Sequence, residues 1–590
     1  MVAFTLLVLA TIAAFFVAQH LKVSTPLIAG SPRPFPAFIS PGETGCAGAN
    51  RSTKFSFYLL HRADDVAVYV VDRAGAIVRT LASGRHMRRG VRFPDGNFPW
   101  DGKQDNGRLA PDGTYFFRIA LLHQGRTIEL TKTPITVKTA PPRPVVNEVT
   151  PVLIPQGNTP ARIRYSGVGK RGASVRLYRT DLPGGPRLVK TFGAPASGST
   201  SWDGRIQKRP APAGTYLVGL DATDAACNTG HFPASMPPPR GSTPHAGLTV
   251  RYLAAQPPLT PVPAGSPATV YVDSRHHPYT WTLTRTGARR KIASGTGRGF
   301  ALRIRAPAQG PGVYVLSLRS GSYGTSVPLI VRAAARSPTP RVLVVLPVLT
   351  WQGDNPSDED GDGVPDLLAH GDAVSLTRPF ARGLPSDFAD PAGILAFLDR
   401  AHLGYDLTTD LALAQRVGPS LSGHRGVVLA GAERWLPASL GASLRSYATS
   451  SGRIVNLGID SLVRGITLRG QIALAPSAPA PTDAMGGRPG PLVSRQRQLL
   501  LVIRDGLGIF SSTSGAFPGY SAYQPLAGVV PPAGRIESAA GPTSSQLAIA
   551  GYRLGRGLVV RIGVAGFGAT LSHRVDGQDL MRRLWSVLSH

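Results

Sequence analysis

The stretch FPWDGKQDNGRLAPDGTYFFRIAL, from Phe98 to Leu121, recurs in altered form as TSWDGRIQKRPAPAGTYLVGL, from Thr200 to Leu220. Alternating residues lead into each copy: VAVYVVDRAGAIVRTL spans Val66 to Leu81, and ASVRLYRTDLPGGPRLVKTF spans Ala173 to Phe192. A period of two puts every second side chain on one face of a sheet, so both leads read as half-buried strands. The Asp-Gly and Pro-x-Gly pairs set the turns. Trp100 with Tyr115, and Trp202 with Tyr216, supply the large apolar surfaces that a small sandwich core needs. Self-similarity of this kind predicts two β-sandwiches in tandem, over 45–140 and 145–247.

Outward from the repeat, residues 248–335 alternate again. TVYVD, YTWTLTRT, ALRIRA and GVYVLSLRS read as strands, and Pro311-Gly312-Val313-Tyr314 echoes the turn without its Trp-Asp-Gly partner. A third, diverged sandwich is expected there. Proline-rich joints at Pro141 to Pro144, Pro237 to Pro239 and Pro257 to Pro263 act as semi-rigid spacers. After Pro340 the pattern changes. RVLVVLPV (Arg341 to Val348), GVVLAG (Gly426 to Gly431) and RIVNLG (Arg453 to Gly458) are buried strands of the parallel type. GILAFLDRAHL (Gly393 to Leu403), SLGASLRSYATSSG (Ser439 to Gly452) and DGQDLMRRLWSVLS (Asp576 to Ser589) are helical in period. That alternation predicts a doubly wound α/β domain over 340–590, with ligands at the carboxyl ends of its strands.

The repeated halves resemble the immunoglobulin-like domain of flagellar hook-capping proteins, a module that implies a fold and says little of function. The C-terminal segments VLPVLTWQGDN, FLDRAHLGYDLTTDLAL and HRGVVLAGAERWLPASLGASLRSYATSSGRIVNLG are similar to the C-terminal domain of the N,N-dimethylformamidase large subunit. This resemblance implies a flavodoxin-like, glutamine-amidotransferase-like fold. It also implies that Glu433, in the place of the family's iron-binding glutamate, is the catalytic candidate. Trp435 carries over too. Gly431 and Arg434 stand where the family has histidine and tyrosine, and Gly353, Asp354 and Asn355 stand where a tyrosine is expected. These departures argue against iron and against amide hydrolysis by that route. A cysteine nucleophile is missing after GVVLAG, where Ala432 and Glu433 follow, and no G-x-S-x-G elbow frames Ser461.

Directly after the first parallel-type strand comes WQGDNPSDEDGDGVPD, Trp351 to Asp366, with five aspartates and one glutamate between Asp354 and Asp366. Asp358, Asp360, Asp362, Gly363 and Asp366 fall at the first, third, fifth, sixth and ninth places of a calcium loop. The twelfth place is Ala369, so Asp354 or Asp372 is expected to complete the ligands, as in looser repeats resembling the type 3 repeats of thrombospondin. Ca2+ of modest affinity, on the order of 0.1–1 mM, is the cation this order fits.

Composition narrows the function. The chain has 590 residues and a formal net charge of +30. It is too long for one core. Its arginines are scattered, without a basic helix, zinc-finger spacing or aromatic RNA-binding signature, which excludes a nucleic-acid role and leaves anionic envelope polymers as partners. Cys46 and Cys227 fall in different expected domains, so their pairing stays open. Val2 to Ala18 is an unbroken apolar run without a clear cleavage site. Residues 1–22 are therefore expected to be an uncleaved transmembrane anchor, with the chain in the cell membrane and its bulk extracytoplasmic; cleaved secretion is the alternative. Together these readings describe an anchored binding or scaffold protein presenting a non-catalytic, amidase-like domain. The alternative is a metal-dependent hydrolase with a site built from Glu433, the Asp354–Asp366 cluster and Asp460.

Overall fold

A computed structural model describes residues 2–24, 26–29, 32–43, 45–154, 159–334 and 340–590. The boundary expected at residue 335 lies outside them.

Both copies of the repeat fold into two-sheet sandwiches. In the first, the Gly113–Leu121 strand pairs on one side with Asp64–Val71, which pairs in turn with Ile77–Met87. Thr53–Ser56 and Asn97–Trp100 form the facing ribbon. The second repeats the plan, with Gly214–Thr223 beside Ala173–Arg179, then Arg187–Ala194, and a facing sheet of Val145–Thr150, Ala161–Ser166 and Ser199–Trp202. The repeated residues do the same work twice. Trp100 and Trp202 are each 1% exposed. Their indole N–H groups donate to the carbonyls of Lys103 (2.8 Å) and Arg205 (3.0 Å), and their rings lie 5.3 and 5.7 Å from those of Tyr115 and Tyr216. Each tyrosine hydroxyl donates 2.7 Å back to a carbonyl four residues earlier, that of Pro111 or Pro212. In the third sandwich Tyr314 keeps this bond, donating to Gly310 at 3.2 Å.

Cys46 and Cys227 form a disulfide across the first joint, at a sequence separation of 181. Asn228 Nδ2 also donates 2.8 Å to the Lys138 carbonyl there, and Lys138 pairs with Asp224 at 3.0 Å.

From Val342 onward the core is a nine-stranded sheet. Five strands are parallel: β1 (Val342–Leu346), β2 (Asp406–Thr409), β3 (Gly426–Leu429), β4 (Arg453–Leu457) and β9 (Gly557–Ile562). The rest are antiparallel: β5 (Val493–Asp505), β6 (Ala516–Tyr523), β7 (Ala533–Gly541) and β8 (Ile549–Leu554). The order is β2-β1-β3-β4-β9-β8-β7-β5-β6. β1 is buried throughout because both its faces are covered: Val344 and Leu346 join a core that continues into the third sandwich, and Leu343 and Val345 join a second core with Leu440 and Leu444 of the Ala438–Ser450 helix. The doubly wound α/β domain expected over 340–590 is not found. From Arg464 to Ile562 the chain contributes strands and no helix, so the C-terminal region as a whole is β-rich.

The membrane expectation is also overturned. Val2–Ser24 does form a helix, yet no helix among the described residues is long and apolar enough to cross a membrane. The apolar run stops at Ala18, before Gln19, His20 and Lys22. As a helix it reaches about 26 Å, against about 30 Å of hydrocarbon. Transmembrane anchoring by residues 1–22, a membrane partner through this helix and single-pass residence in the cell membrane are therefore withdrawn.

Because each Trp-Asp-Gly tryptophan fills a sandwich core, Trp100→Ala or Trp202→Ala is expected to cost about 3–5 kcal/mol. Chemical denaturation followed by circular dichroism reads this, and near-neutral stability for both variants would make the motif a surface feature.

Candidate functional site

Two acidic centres lie beyond the carboxyl ends of β1, β2 and β3. The first is the loop from Asp354 to Asp366. Its turns are set by its own carboxylates: Asp358 accepts from the amides of Gly361 (2.8 Å) and Gly363 (3.0 Å), Asp360 from Asp362 (3.1 Å), and Asp362 from Val364 (2.7 Å). Asp366 Oδ2 accepts from Glu359 at 2.6 Å. Beneath the loop, the buried Arg378 guanidinium donates to the carbonyls of Gln352 (2.7 Å), Asn355 (2.8 Å) and Asp366 (3.0 Å). Outside it, the second sandwich closes the joint. Gly247 N donates to the Gly361 carbonyl (2.8 Å), Thr243 Oγ1 to that of Asp362 (2.9 Å), and Thr180 Oγ1 to that of Gly363 (2.6 Å). A side chain at Gly247 would put a Cβ 2.0 Å from Gly363 N, so only glycine allows this approach.

Of the five residues expected to hold calcium, Asp358, Asp360 and Asp366 each bring an oxygen within 4.8 Å of the others. Asp362 is not in that group, and Asp354 turns away to meet Arg434 Nη1 at 2.6 Å. Asp372 is also engaged elsewhere, accepting from Leu367 N at 2.9 Å and pairing with Arg240. Burial, then the Asp362 and Asp360 charges, push the Asp358 carboxyl up to about 7 against the pull of the two glycine amides; burial takes Asp366 to about 6. Acidic groups gather without an ion in many proteins, so the convergence alone does not show calcium binding.

The second centre is buried. Glu433, four residues beyond β3, is 1% exposed. Its backbone is pinned, with the amide donating 3.1 Å to Ser461 Oγ and the carbonyl accepting from Leu462 N at 2.8 Å. Ser461 Oγ in turn donates 2.8 Å to Asn456 Oδ1, so this serine links the Glu433 backbone to β4. Neither Glu433 carboxyl oxygen has a hydrogen-bond partner by distance and angle among the described residues. The groups acting on its charge are Asp410 first and Asp387 second, and burial with these neighbours pushes its carboxyl well above the ordinary range. Asp410, equally buried, is also pushed up by burial, opposed by the amides of Leu349 and Leu411 that donate to it. Burial takes Asp387 to about 6 although Arg434 pulls it down. The Asp354–Asp366 cluster therefore does not join Glu433, and Asp460 is committed to Arg464 at 2.8 Å. Asp410 and Asp387 were not read from the sequence. The signal was Asp410's place in DLTTD: Thr409 Oγ1 caps the short helix by accepting from Ala412 N at 3.0 Å, which sets Asp410 at the carboxyl end of β2.

Comparisons with known proteins bear out both resemblances. Residues 300–446 match the family described as N,N-dimethylformamidase beta subunit-like, C-terminal, and residues 45–125 match the FlgD Ig-like domain. The basal-body rod modification protein FlgD of Salmonella typhimurium is 36% identical over 92 residues, and that of Escherichia coli strain K12 is 34% identical over 92 residues. Each alignment covers 14% of this chain and 38% of the curated relative. Among solved structures, an exo-β-1,4-mannosidase from Opitutaceae bacterium strain TAV5 aligns at 13% identity with a TM-score of 0.26, covering 42% of this chain and 36% of that one. A marsupial T cell receptor aligns at 9% identity with a TM-score of 0.24, covering 51% and 99%.

The raised Asp410 carboxyl has a definite consequence for stability. An acid held above its unfolded value binds its proton more tightly when folded, so stability falls as pH rises from about 4 toward neutrality and then levels off. Asp410→Asn should flatten that fall and melt higher than the wild type at pH 8. Parallel pH profiles of the two proteins would contradict the placement of Asp410.

Proposed function

We propose that this chain is a binding or scaffold protein, in which FlgD-like sandwiches are fixed to an amidase-like region that carries out no hydrolysis. The observation carrying this reading is the surroundings of Glu433. The resemblance would have this carboxylate bind a metal together with tyrosines. Here it lies buried against Asp410, and Gly431 and Arg434 occupy the family's histidine and tyrosine places. Two adjoining carboxyl groups in a buried site hold a proton between them, which leaves Glu433 without the full negative charge that a metal ligand needs.

Calcium is the second part of the proposal. Asp358, Asp360 and Asp366 converge, and the loop that carries them is the one the second sandwich grips through Gly361, Asp362 and Gly363. A cation there neutralises the loop and stiffens the joint, leaving the two regions in one fixed arrangement. Hard oxygen donors at alternate residues suit Ca2+.

A second reading, a metal-dependent hydrolase, keeps one observation in its favour. Glu433 and Asp410 lie side by side in a buried site, and a divalent metal would offset their charge when both are ionised. Elemental analysis separates the readings: stoichiometric iron, zinc or manganese favours the hydrolase, calcium alone the scaffold. The purified chain is expected to hydrolyse neither glutamine nor simple amides. Turnover abolished in Glu433→Ala would overturn the non-catalytic reading.

For calcium, ligand linkage sets the size of the effect. About 1 mM Ca2+ against a Kd of roughly 0.1 mM stabilises the C-terminal region by about 1.4 kcal/mol. The double variant Asp358→Asn, Asp360→Asn is expected to lose that gain. Melting that ignores calcium at matched ionic strength would reduce the loop to a solvated acidic turn.

A further inference from the structure

The third sandwich is strongly basic. Residues 248–335 hold ten arginines and one lysine against a single acid, Asp273, which Arg251 (3.0 Å) and Arg275 (3.3 Å) already hold. Against the larger sheet of this sandwich lies a hollow of about 610 Å3, a size that suits a small organic ligand. Its floor is hydroxylic. The strands Tyr279–Arg285, Gly312–Ser320 and Tyr323–Arg332 run side by side, with Thr280 opposite Arg319, Thr282 opposite Ser317, and Ser317 opposite Ser326. Alternation sends Leu283, Leu316 and Leu318 into the core and turns these residues outward. The wall comes from the C-terminal region. Gly383 has a φ of +81°, and a Cβ there would lie 3.0 Å from the Ser326 carbonyl oxygen. That close approach brings Arg382 and Leu384 beside the hydroxyls.

The lining holds two arginines, Arg319 and Arg382, and no carboxylate. Arg319 is exposed and forms no ion pair among the described residues. Arg382 reaches Asp181 at 3.3 Å, but Asp181 lies outside the hollow and is balanced by Arg179 at 2.8 Å. Both lining charges therefore stay available to an anion. The hydroxyls of Thr280, Thr282, Ser317, Thr325 and Ser326 can each donate and accept, and Ser317 and Ser326 already share one bond of 2.9 Å. Trp281 also lines the hollow, yet its ring lies on the core face of the sheet, where a Cβ at the paired Gly295 would come 2.9 Å from it. No aromatic face is thus offered on which a nucleobase could stack.

We propose that this hollow binds a sugar phosphate, the phosphate monoester of a small polyhydroxylated ring. The phosphate dianion meets Arg319 and Arg382, whose forked guanidinium groups match phosphate oxygens. The sugar hydroxyls exchange hydrogen bonds with the threonine and serine floor. A neutral sugar would leave both arginines uncompensated, and an amine would be repelled by them. Because Arg319 belongs to the third sandwich and Arg382 to the C-terminal region, the ligand bridges the two. Neither acidic centre lines the hollow, so the proposal stands apart from calcium and from the amidase question.

The test uses the full chain, with glucose 6-phosphate as probe and with glucose and inorganic phosphate as its two halves. Isothermal titration is expected to show one site per chain for the sugar phosphate, weaker binding of inorganic phosphate and none of glucose. Arg319→Gln should weaken the sugar phosphate by about tenfold or more, the loss of one charge-assisted hydrogen bond. Arg319→Lys, which keeps the charge but not the fork, should show a smaller loss. Arg89→Gln removes the same charge from an exposed place on the first sandwich and should leave binding unchanged. Far-ultraviolet circular dichroism establishes that each variant folds. The proposal is overturned if the sugar phosphate does not bind the wild type at millimolar concentration, or if either half binds as tightly as the whole. It is also overturned if Arg319→Gln binds unchanged, or if Arg89→Gln weakens binding as much as Arg319→Gln does.

Discussion

The guanidinium of Arg378 holds the acidic loop that joins the second sandwich to the C-terminal region. Buried under the acidic loop, it gathers carbonyls from both ends of that loop and draws Gln352, Asn355 and Asp366 onto one planar cation. Burial disfavours its charge, while Glu359, Asp366 and Asp372 support it. The loop's shape thus rests on a cation built into the chain, and the outward carbonyls that the second sandwich grips are presented as a consequence. A cleft of about 490 Å3 beside the second sandwich takes one wall from Trp351 to Pro356, the stem of that same loop. Removing the guanidinium would leave several buried carbonyls without donors, so the loop, the joint and the cleft depend on one side chain.

Much of the fold could be read from short-range chemistry, and the failures have physical causes. The Trp-Asp-Gly and Pro-x-Gly-Thr-Tyr elements were legible because turn residues and aromatic anchors act within a few positions of one another. The apolar runs around Val344, Val428 and Val455 were legible as parallel strands because they are covered on both faces. The segment from Arg464 to Ile562 was not. Its strands pair across bulges at Gln498, Val502 and Ile536, where the period of two breaks and alternation no longer marks a strand. The N-terminal run was long enough to form a helix and too short to serve as a span, a difference of about 4 Å, less than one helical turn.

At the site, sequence order showed which carboxylates could meet locally but not which would meet across the sheet. Asp358, Asp360 and Asp366 converge because one loop carries them. Asp354, in the same acidic run, is captured by Arg434 from the end of β3, and Glu433 acquires Asp410 and Asp387 as neighbours from elements 20 to 50 residues away in the chain. Tertiary contacts of that kind leave no periodic trace. The result is a division of charge: the outer carboxylates face a loop that could take a cation, while the inner ones face each other in a dry interior.

The Cys46–Cys227 crosslink has a mechanical meaning. It closes a covalent ring over a sequence separation of 181, a ring that contains the heart of both repeated sandwiches. Tension applied between the two ends of the chain would pass through the sulfur–sulfur bond and bypass that ring. At about 3.4 Å per extended residue, roughly 600 Å of contour length would stay unavailable to stretching. Under load the strands between the two cysteines would stay unextended, whereas Thr229–Phe232 and Gly247–Val250 of the second sandwich, the third sandwich and the C-terminal sheet lie on the load-bearing path.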